Sequence, residues 1–465
     1  MSSTATIDGE RQRLQALVAE LVSRDGWSRE RLEAYQRRRL RELIDHAVSS
    51  SPYYREVLGA GAADAPLTEL PVLTKATLME RFDEIVTDPR LRLADLEAHL
   101  AGPDPASWFA DEYAVMTTSG TTGERGVFAY SLEDFRVAQA ATLRALARLG
   151  ARPGLRVIGI GAPSPLHISR RLFSRLQAGG PGAPPELSVL TPVEELVEAL
   201  NALQPEVMVG YPSVYSTLAG EQLAGRLHIS PVALATGAEV QREEVADAFE
   251  AAWGVRAGNV YATTEVCVVA SSCPRRVGLH VCDDLVVIEV VDRDGEPVPP
   301  GTPGHRVLVT NLVNRAQPLI RYEVTDSVTR AAGPNPTGMP WNRIERVDGR
   351  SAEILQLPGR RGEVQLHPYR LREPFARLSA VAQYQYAYDG RRLTVALVLR
   401  PGASGELVER VRATLEAVLE DAGVDGVGVE ARVVDAIARQ PGEGAKLTQV
   451  KLPRGLPGDS PPIYW

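Results

Sequence analysis

The stretch Thr117-Thr118-Ser119-Gly120-Thr121-Thr122-Gly123-Glu124-Arg125-Gly126 is built from threonine, serine and glycine apart from Glu124 and Arg125. Glycine lets a backbone approach an anion closely, and hydroxyl and backbone N–H groups are anion donors, so such a loop can wrap a polyphosphate. It is not a Walker loop, because it ends in Glu124-Arg125-Gly126 and not in Gly-Lys-Ser/Thr. A dinucleotide fingerprint on Gly159-Ile160-Gly161 also fails, since its third glycine would fall on Ser164. Taken alone, residues 117–126 could also be a flexible surface turn.

The flanks of the loop predict an α/β fold. An apolar stretch, Tyr113 to Met116, precedes it, and a helix is expected over about 132–149. Leu155 to Gly161 reads as a buried strand, 178–185 as a Gly/Pro-rich loop, and Glu206 to Gly210 as another strand. Between them a helix is expected over 192–203, with Thr191 as N-cap and Pro192 at its first position. This alternation, from about 110 to 270, predicts a parallel α/β core. Toward the N-terminus, Leu14, Leu17, Val18, Leu21 and Val22 follow helical spacing, and a second helix is expected from Arg31 to Ser49, ending before Ser51-Pro52. From Leu285 the pattern changes to strands, Val286 to Val290 and Val307 to Thr310, joined by the turn Asp294-Gly295, which predicts an antiparallel subdomain. Beyond the Gly/Pro-rich stretch 331–340, alternation at 393–399 and 427–433 surrounds a helical stripe at 407–419, as in a small α+β unit.

Composition narrows the function classes. The 465 residues are 44% hydrophobic and 24% charged, ordinary for a globular chain, and length suggests two to four domains. A net charge of −8 argues against a general nucleic-acid surface. No run of 18 apolar residues is present and the first ten residues lack a signal pattern, so no membrane partner is expected. Three cysteines do not make a disulfide framework, and a reducing cytoplasm is the expected location. Of 51 basic residues only Lys75, Lys446 and Lys451 are lysines, so each lysine retained is informative.

Five segments carry a resemblance. Thr118-Ser119-Gly120-Thr121-Thr122-Gly123 resembles the phosphate loop of the adenylate-forming superfamily of acyl-CoA synthetases and related ligases. Tyr261-Ala262-Thr263-Thr264-Glu265 resembles its Tyr-Gly-x-Thr-Glu signature. The segment Pro318 to Asp326 resembles the one ending in its ribose-binding aspartate, Val347-Asp348-Gly349-Arg350 resembles its hinge entry, and Gly444-Ala445-Lys446 resembles the site of its catalytic lysine. All five stand in the family's order. Within the family, Ser51 to Arg55, Leu70 to Lys75, Gly210-Tyr211-Pro212-Ser213, Gly237-Ala238-Glu239 and Gly278-Leu279-His280 resemble the phenylacetate-CoA ligase-like branch.

The resemblance implies a large N-terminal adenylation domain, about 1–348, of α/β sheets plus an antiparallel β subdomain, and a small α+β C-terminal lid, about 349–465. It implies ATP-dependent adenylation of a carboxylic acid, aryl or arylacetic, followed by transfer to CoA. Two anions must meet in such a reaction, so donors and positive charge are needed. By resemblance the loop 118–123 holds the phosphates, Glu265 binds Mg²⁺, and Asp326 accepts from the ribose hydroxyls. Gly237-Ala238-Glu239 runs along the adenine edge, and Arg350 approaches ribose or phosphate. Lys446 reaches the α-phosphate and the attacking carboxylate; alone, it would read as a solvated tail lysine, and Lys451 is its rival. His167, Tyr211 and Pro212 are candidates for the acid pocket, though a surface-loop reading serves His167 as well. A homodimer is expected from the family alone.

Three positions depart from the family. Ser351 is followed by Ala352 where an acidic residue is usual, and Gly362 to Pro368 matches the CoA-facing loop loosely. Asn335-Pro336-Thr337-Gly338 stands where many relatives carry Cys-x-Cys-Gly. Cys273, His280 and Cys282 then lack a fourth donor, and no structural zinc is expected. The altered acceptor loop keeps open an amine, a carrier-protein thiol, or activation of a small oxyanion such as nitrite. A catalytically silent nucleotide-binding protein is the alternative outside the enzymes.

Overall fold

Short apolar runs bounded by polar turns become strands of one large sheet. The computed structural model describes the chain except residues 1, 119–125, 162–167, 169–170, 173–186, 190, 240, 242, 274, 276, 351–354, 361, 367–370, 372–380, 400–405, 436–449 and 452–465. An antiparallel hairpin comes first, β1 (Tyr113–Thr117) and β2 (Val127–Ser131), with Thr117 opposite Val127 at its mouth. Ser131 then caps the helix Leu132–Arg148 by accepting from the Asp134 N–H at 3.2 Å.

Strands β3 (Val157–Gly161), β4 (Leu187–Ser188), β5 (Val207–Gly210), β6 (Ala233–Gly237) and β7 (Gly258–Thr263) pair in parallel in the order β7-β6-β5-β3-β4. Helices Val193–Leu203, Pro212–Leu223 and Glu243–Trp253 lie between successive strands in the chain. The parallel core is therefore shorter than the expected 110–270. It stops at β7, where β8 (Cys267–Ser272) turns back antiparallel, followed by β9 (Leu279–Val281). Only three residues separate β7 from β8, too few for the crossover a parallel pair requires. The N-cap of Val193–Leu203 is Pro192, not Thr191. Pro192 is still extended, and the Thr191 hydroxyl instead accepts from the Ser188 N–H at 3.2 Å.

Strands β10 (Val286–Val291), β11 (Arg306–Asn311) and β12 (Tyr322–Val324) form a separate antiparallel sheet. The Asp294-Gly295 turn closes only the small loop that brings Pro297 back to Val291; the chain enters β11 after Gly304. Strands β13 (Asp326–Arg330) and β14 (Arg343–Arg350) return to the large sheet beyond β9 and complete its nine strands.

Further on, β15 (Leu355–Gly359) and β16 (Gly362–Leu366) form a hairpin. Strands β17 (Val381–Tyr388), β18 (Arg392–Leu399), β19 (Gly428–Val433) and β20 (Val450–Lys451) form a four-stranded sheet in the order β19-β18-β17-β20. Val411, Leu415 and Leu419 of the helix Glu406–Asp421 pack with Leu393, Val395 and Leu397 of β18, and Leu407 on the same stripe is buried, as the helical and alternating patterns predict. No helix among the described residues is long and apolar enough to cross a membrane.

Buried charge ties the N-terminal helix Ser2–Ser23 to this body. Arg24, just after it, and Arg144 both bind the Asp284 carboxylate, at 2.9 Å and at 2.8 and 2.9 Å. Arg148 pairs with Asp25 at 2.6 Å, the Trp341 indole N–H donates to Asp25 at 3.0 Å, and both Arg144 and Arg148 lie over the Trp341 ring.

Candidate active site

The Ser/Thr/Gly loop joins β1 to β2. Of its expected site residues Thr118 is described, whereas Ser119, Gly120, Thr121, Thr122 and Gly123 lie outside the described residues. The neck of the loop is closed by two bonds. The Thr118 N–H donates to the Gly126 carbonyl at 3.1 Å, and the Gly126 N–H donates to the Thr118 hydroxyl at 3.0 Å. A Cβ at Gly126 would stand 2.7 Å from the Phe128 ring and 2.9 Å from the Thr118 hydroxyl, so a side chain there would push the ring or the hydroxyl aside. The outer edge of β2 is held by side-chain amides. Gln317 accepts from the Ala129 N–H at 2.9 Å and donates to the Val127 carbonyl at 3.1 Å, and Asn314 donates to the Ala129 carbonyl at 2.8 Å.

Lys75 reaches this neck, with Nζ 3.3 Å from the Thr118 hydroxyl. It was not singled out as a site residue, although its rarity as a lysine was the available signal. Its placement is built from other motif segments. Leu73 bridges to Tyr322 as a parallel partner, and Arg321 donates to the Thr68 carbonyl at 2.9 Å and to the Leu70 carbonyl while pairing with Glu289 at 3.1 Å. Tyr54 donates to the Pro318 carbonyl at 2.8 Å and accepts from the Ile320 N–H at 3.3 Å. Residues 51–55 and 70–75 thus buttress the 318–326 segment.

The end of β7 and the start of β13 meet directly. The Tyr261 hydroxyl donates to Asp326 Oδ2 at 2.7 Å. Asp326 stands opposite Arg350 in the β13–β14 register; of Arg350 only the backbone is described. After Ala262 and Thr263 the chain turns. The Thr263 hydroxyl accepts from the Val266 N–H at 3.3 Å, and Thr264 and Glu265 are buried at 7% and 9% exposure. Tyr130 donates to the Glu265 carbonyl at 2.6 Å and Asn311 to the same oxygen at 3.1 Å. These two buried side chains, unmarked by any motif, fix the backbone that carries Glu265. Cys267 takes a left-handed φ of 60°, a costly conformation of the kind that gathers around functional sites. Burial pushes its thiol up to about 12, so it is no nucleophile at neutral pH.

Strands β5 and β6 end side by side, with Gly210 opposite Thr236. Gly237, Ala238 and Glu239 follow β6; Tyr211, buried at 2%, and Pro212 follow β5. In open α/β sheets ligands bind at such carboxyl ends of strands. The Glu239 carboxylate accepts from both the N–H and the hydroxyl of Ser213, each at 3.0 Å. His167 and Lys446 lie outside the described residues, while Lys451 stands in β20 opposite Ala387 of β17.

Cys273, His280 and Cys282 are all buried. His280 Nε2 is 3.4 Å from both the Asn335 and the Thr337 side-chain oxygens, and burial holds its imidazole below the ordinary value. Among the described residues no group of three or more His, Cys, Asp or Glu side chains is placed to hold a metal ion.

The model of the AMP-binding enzyme family matches residues 34–311. Phenylacetate-coenzyme A ligase of Thermus thermophilus is 30% identical over 348 residues, covering 71% of this chain and 73% of the relative. Phenylacetate-coenzyme A ligase of Aromatoleum evansii is 26% identical over 436 residues, covering 87% and 90%. The crystal structure of 2-hydroxyisobutyryl-CoA ligase in the postadenylation state, with R3-HIB-AMP, superposes with a TM-score of 0.70 at 20% identity, covering 90% of this chain and 89% of that one. This last likeness shows the fold, a mixed α/β body with small antiparallel sheets.

Proposed function

The chain belongs to the AMP-binding enzyme family and is an ATP-dependent, AMP-forming ligase; from that premise we propose that it joins an aryl or arylacetic acid to coenzyme A through an acyl-adenylate. The observation that carries this reading is the Tyr261–Asp326 bond, with Glu265 one turn beyond β7 and Arg350 opposite Asp326. The names of the curated relatives support an arylacetic acid.

In the proposed reaction Asp326 accepts from the ribose hydroxyls while Tyr261 holds its carboxylate in place. Loop 118–126 and Lys75 face the phosphates, Gly237 and Ala238 the adenine, and Tyr211 and Pro212 the acid. One acid oxygen attacks the α-phosphorus, the bond to the bridging oxygen breaks, and pyrophosphate leaves. The CoA sulfur then displaces AMP from the acyl carbon and gives up its proton. Magnesium commonly binds through one or two carboxylates plus substrate phosphates. Glu265 as a single buried carboxylate fits that donor set, and the ion would offset phosphate charge. Residues 349–465, proposed as a lid, would bring Lys446 to the first step and exclude water from the adenylate.

ATP–pyrophosphate exchange across aryl, arylacetic, aliphatic and amino acids, with nitrite included, tests the reading. Arylacetic or aryl acids should drive exchange, and added CoA should give a thioester of the expected mass. Exchange without a thioester moves the acceptor to an amine or a carrier-protein thiol, and no exchange with any acid overturns the proposal. Within it, Tyr261→Phe should raise the ATP KM by about tenfold, the worth of one hydrogen bond to a charged group. An unchanged ATP KM would show that Asp326 needs no such partner.

A further inference from the structure

Pro212–Leu223 follows β5, and its first turn leaves N–H groups without intrahelical partners. Its N-cap residue, Tyr211, supplies no side-chain cap, and Pro212 has no N–H. The cap comes from the turn that follows the neighbouring strand, β6. The two Glu239 oxygens take the Ser213 N–H and the Ser213 hydroxyl separately, each at 3.0 Å, and a carboxylate there also suits the helix dipole. Ala238 carries the chain from β6 to Glu239 through a left-handed φ of 63°, a strained choice for a residue other than glycine. From below, Tyr215 packs so closely that a Cβ on Gly210 would stand 3.0 Å from its ring. The turn after β5 is thus supported by its own helix and tied from β6.

We propose that Glu239 is a positioning residue that locks the acid-side turn Tyr211-Pro212-Ser213 to the nucleotide-side turn Gly237-Ala238-Glu239, so that acid and ATP are held in register. The proposal rests on the adenylation reading, which places the two substrates on these two turns. A side chain that merely followed the adenine edge would affect the nucleotide alone. A tether couples both substrates, because loosening either turn displaces the reacting oxygen from the α-phosphorus, and misplacement by about 1 Å costs on the order of a hundredfold in rate.

The test measures KM for acid and for ATP, and kcat, by pyrophosphate exchange in the full chain, well below each variant's Tm. Glu239→Ala should raise the acid KM about tenfold, the worth of hydrogen bonds to a charged group, and raise the ATP KM with it. Glu239→Gln, whose amide can accept from the Ser213 N–H and donate to its hydroxyl, should recover most of the acid KM. Ser213→Ala should raise the acid KM less, and the double variant should be no worse than Glu239→Ala, as expected of two groups in one contact. If Glu239→Ala does not fold, the acid KM of Ser213→Ala and its recovery in Ser213→Thr decide. A rise in the ATP KM alone, no change in either KM, or additive losses in the double variant overturns the tether. Absence of acid-dependent exchange in the parent protein overturns the adenylation reading and the tether together, whereas failure of the tether alone leaves the parent's exchange intact.

Discussion

Lys446→Ala is expected to lower adenylate formation by about two to three orders of magnitude, the usual cost of deleting one group that stabilises transition-state charge, while ATP still binds. The reason is electrostatic. A carboxylate and a triphosphate repel, and in the proposed reaction the charge that builds at the α-phosphorus needs a cation, which the proposed lid would bring. Arginine is the default basic residue of this chain, with lysine at only three of 51 basic positions. A compact ammonium on a flexible stem can approach one phosphate oxygen as a point charge, which a planar guanidinium does less well. Gly444 and Ala445, both small, precede Lys446. Lys451, the alternative, lies in β20 beside β17, and Lys451→Ala should leave exchange near the parent rate. Calorimetry for ATP and pyrophosphate exchange for the chemical step separate the two contributions. Near-normal exchange in Lys446→Ala would remove the residue from the mechanism.

The largest loss of stability is expected from Asp284→Ala. Arg24, Arg144 and Asp284 have side chains 6%, 0% and 0% exposed, and the single carboxylate serves both guanidinium groups. Removing it strands buried positive charge, at a cost of about 3–5 kcal/mol. The effect should appear as a lower denaturation midpoint and as earlier proteolysis within Ser2–Ser23. Replacing all three residues together by apolar ones of similar volume should recover most of the loss, because desolvation of the ions disappears with them. If Asp284→Ala unfolds like the parent, the network is not holding the N-terminal helix. Burial opposes ionisation of Asp284, but the charges of Arg144 and Arg24 outweigh it and hold the carboxyl below its ordinary value of 3.8. Its stabilisation is therefore present above pH 3.8 and lost as the pH falls through the depressed value.

Much of the fold was legible because period and punctuation are local. The stripe at 407–419 and the alternation at 393–399 became a packed helix and strand, and the helix expected over about 132–149 became Leu132–Arg148, capped by Ser131. The reversal between β7 and β8 was not, because a strand's residue pattern does not encode whether it pairs parallel or antiparallel with its neighbour. At the site, motif order pointed to Tyr261 and Asp326, and the structure joins them by one bond. Lys75 at Thr118, Tyr130 and Asn311 under Glu265, and Glu239 on Ser213 were missed as contacts. Each is a contact that a polar side chain makes with a group distant in sequence, and no periodicity encodes which distant groups will face one another.

The side-chain amides along β2 have a consequence for solubility. A two-stranded hairpin leaves open edges, and an open edge is a template on which another chain can add a strand. Here Asn314 and Gln317 occupy the backbone groups of Val127 and Ala129 that such a strand would use. The hairpin that joins through residues 118–126 thus has its β2 edge already filled by side-chain amides, which blocks strand addition there without a third strand.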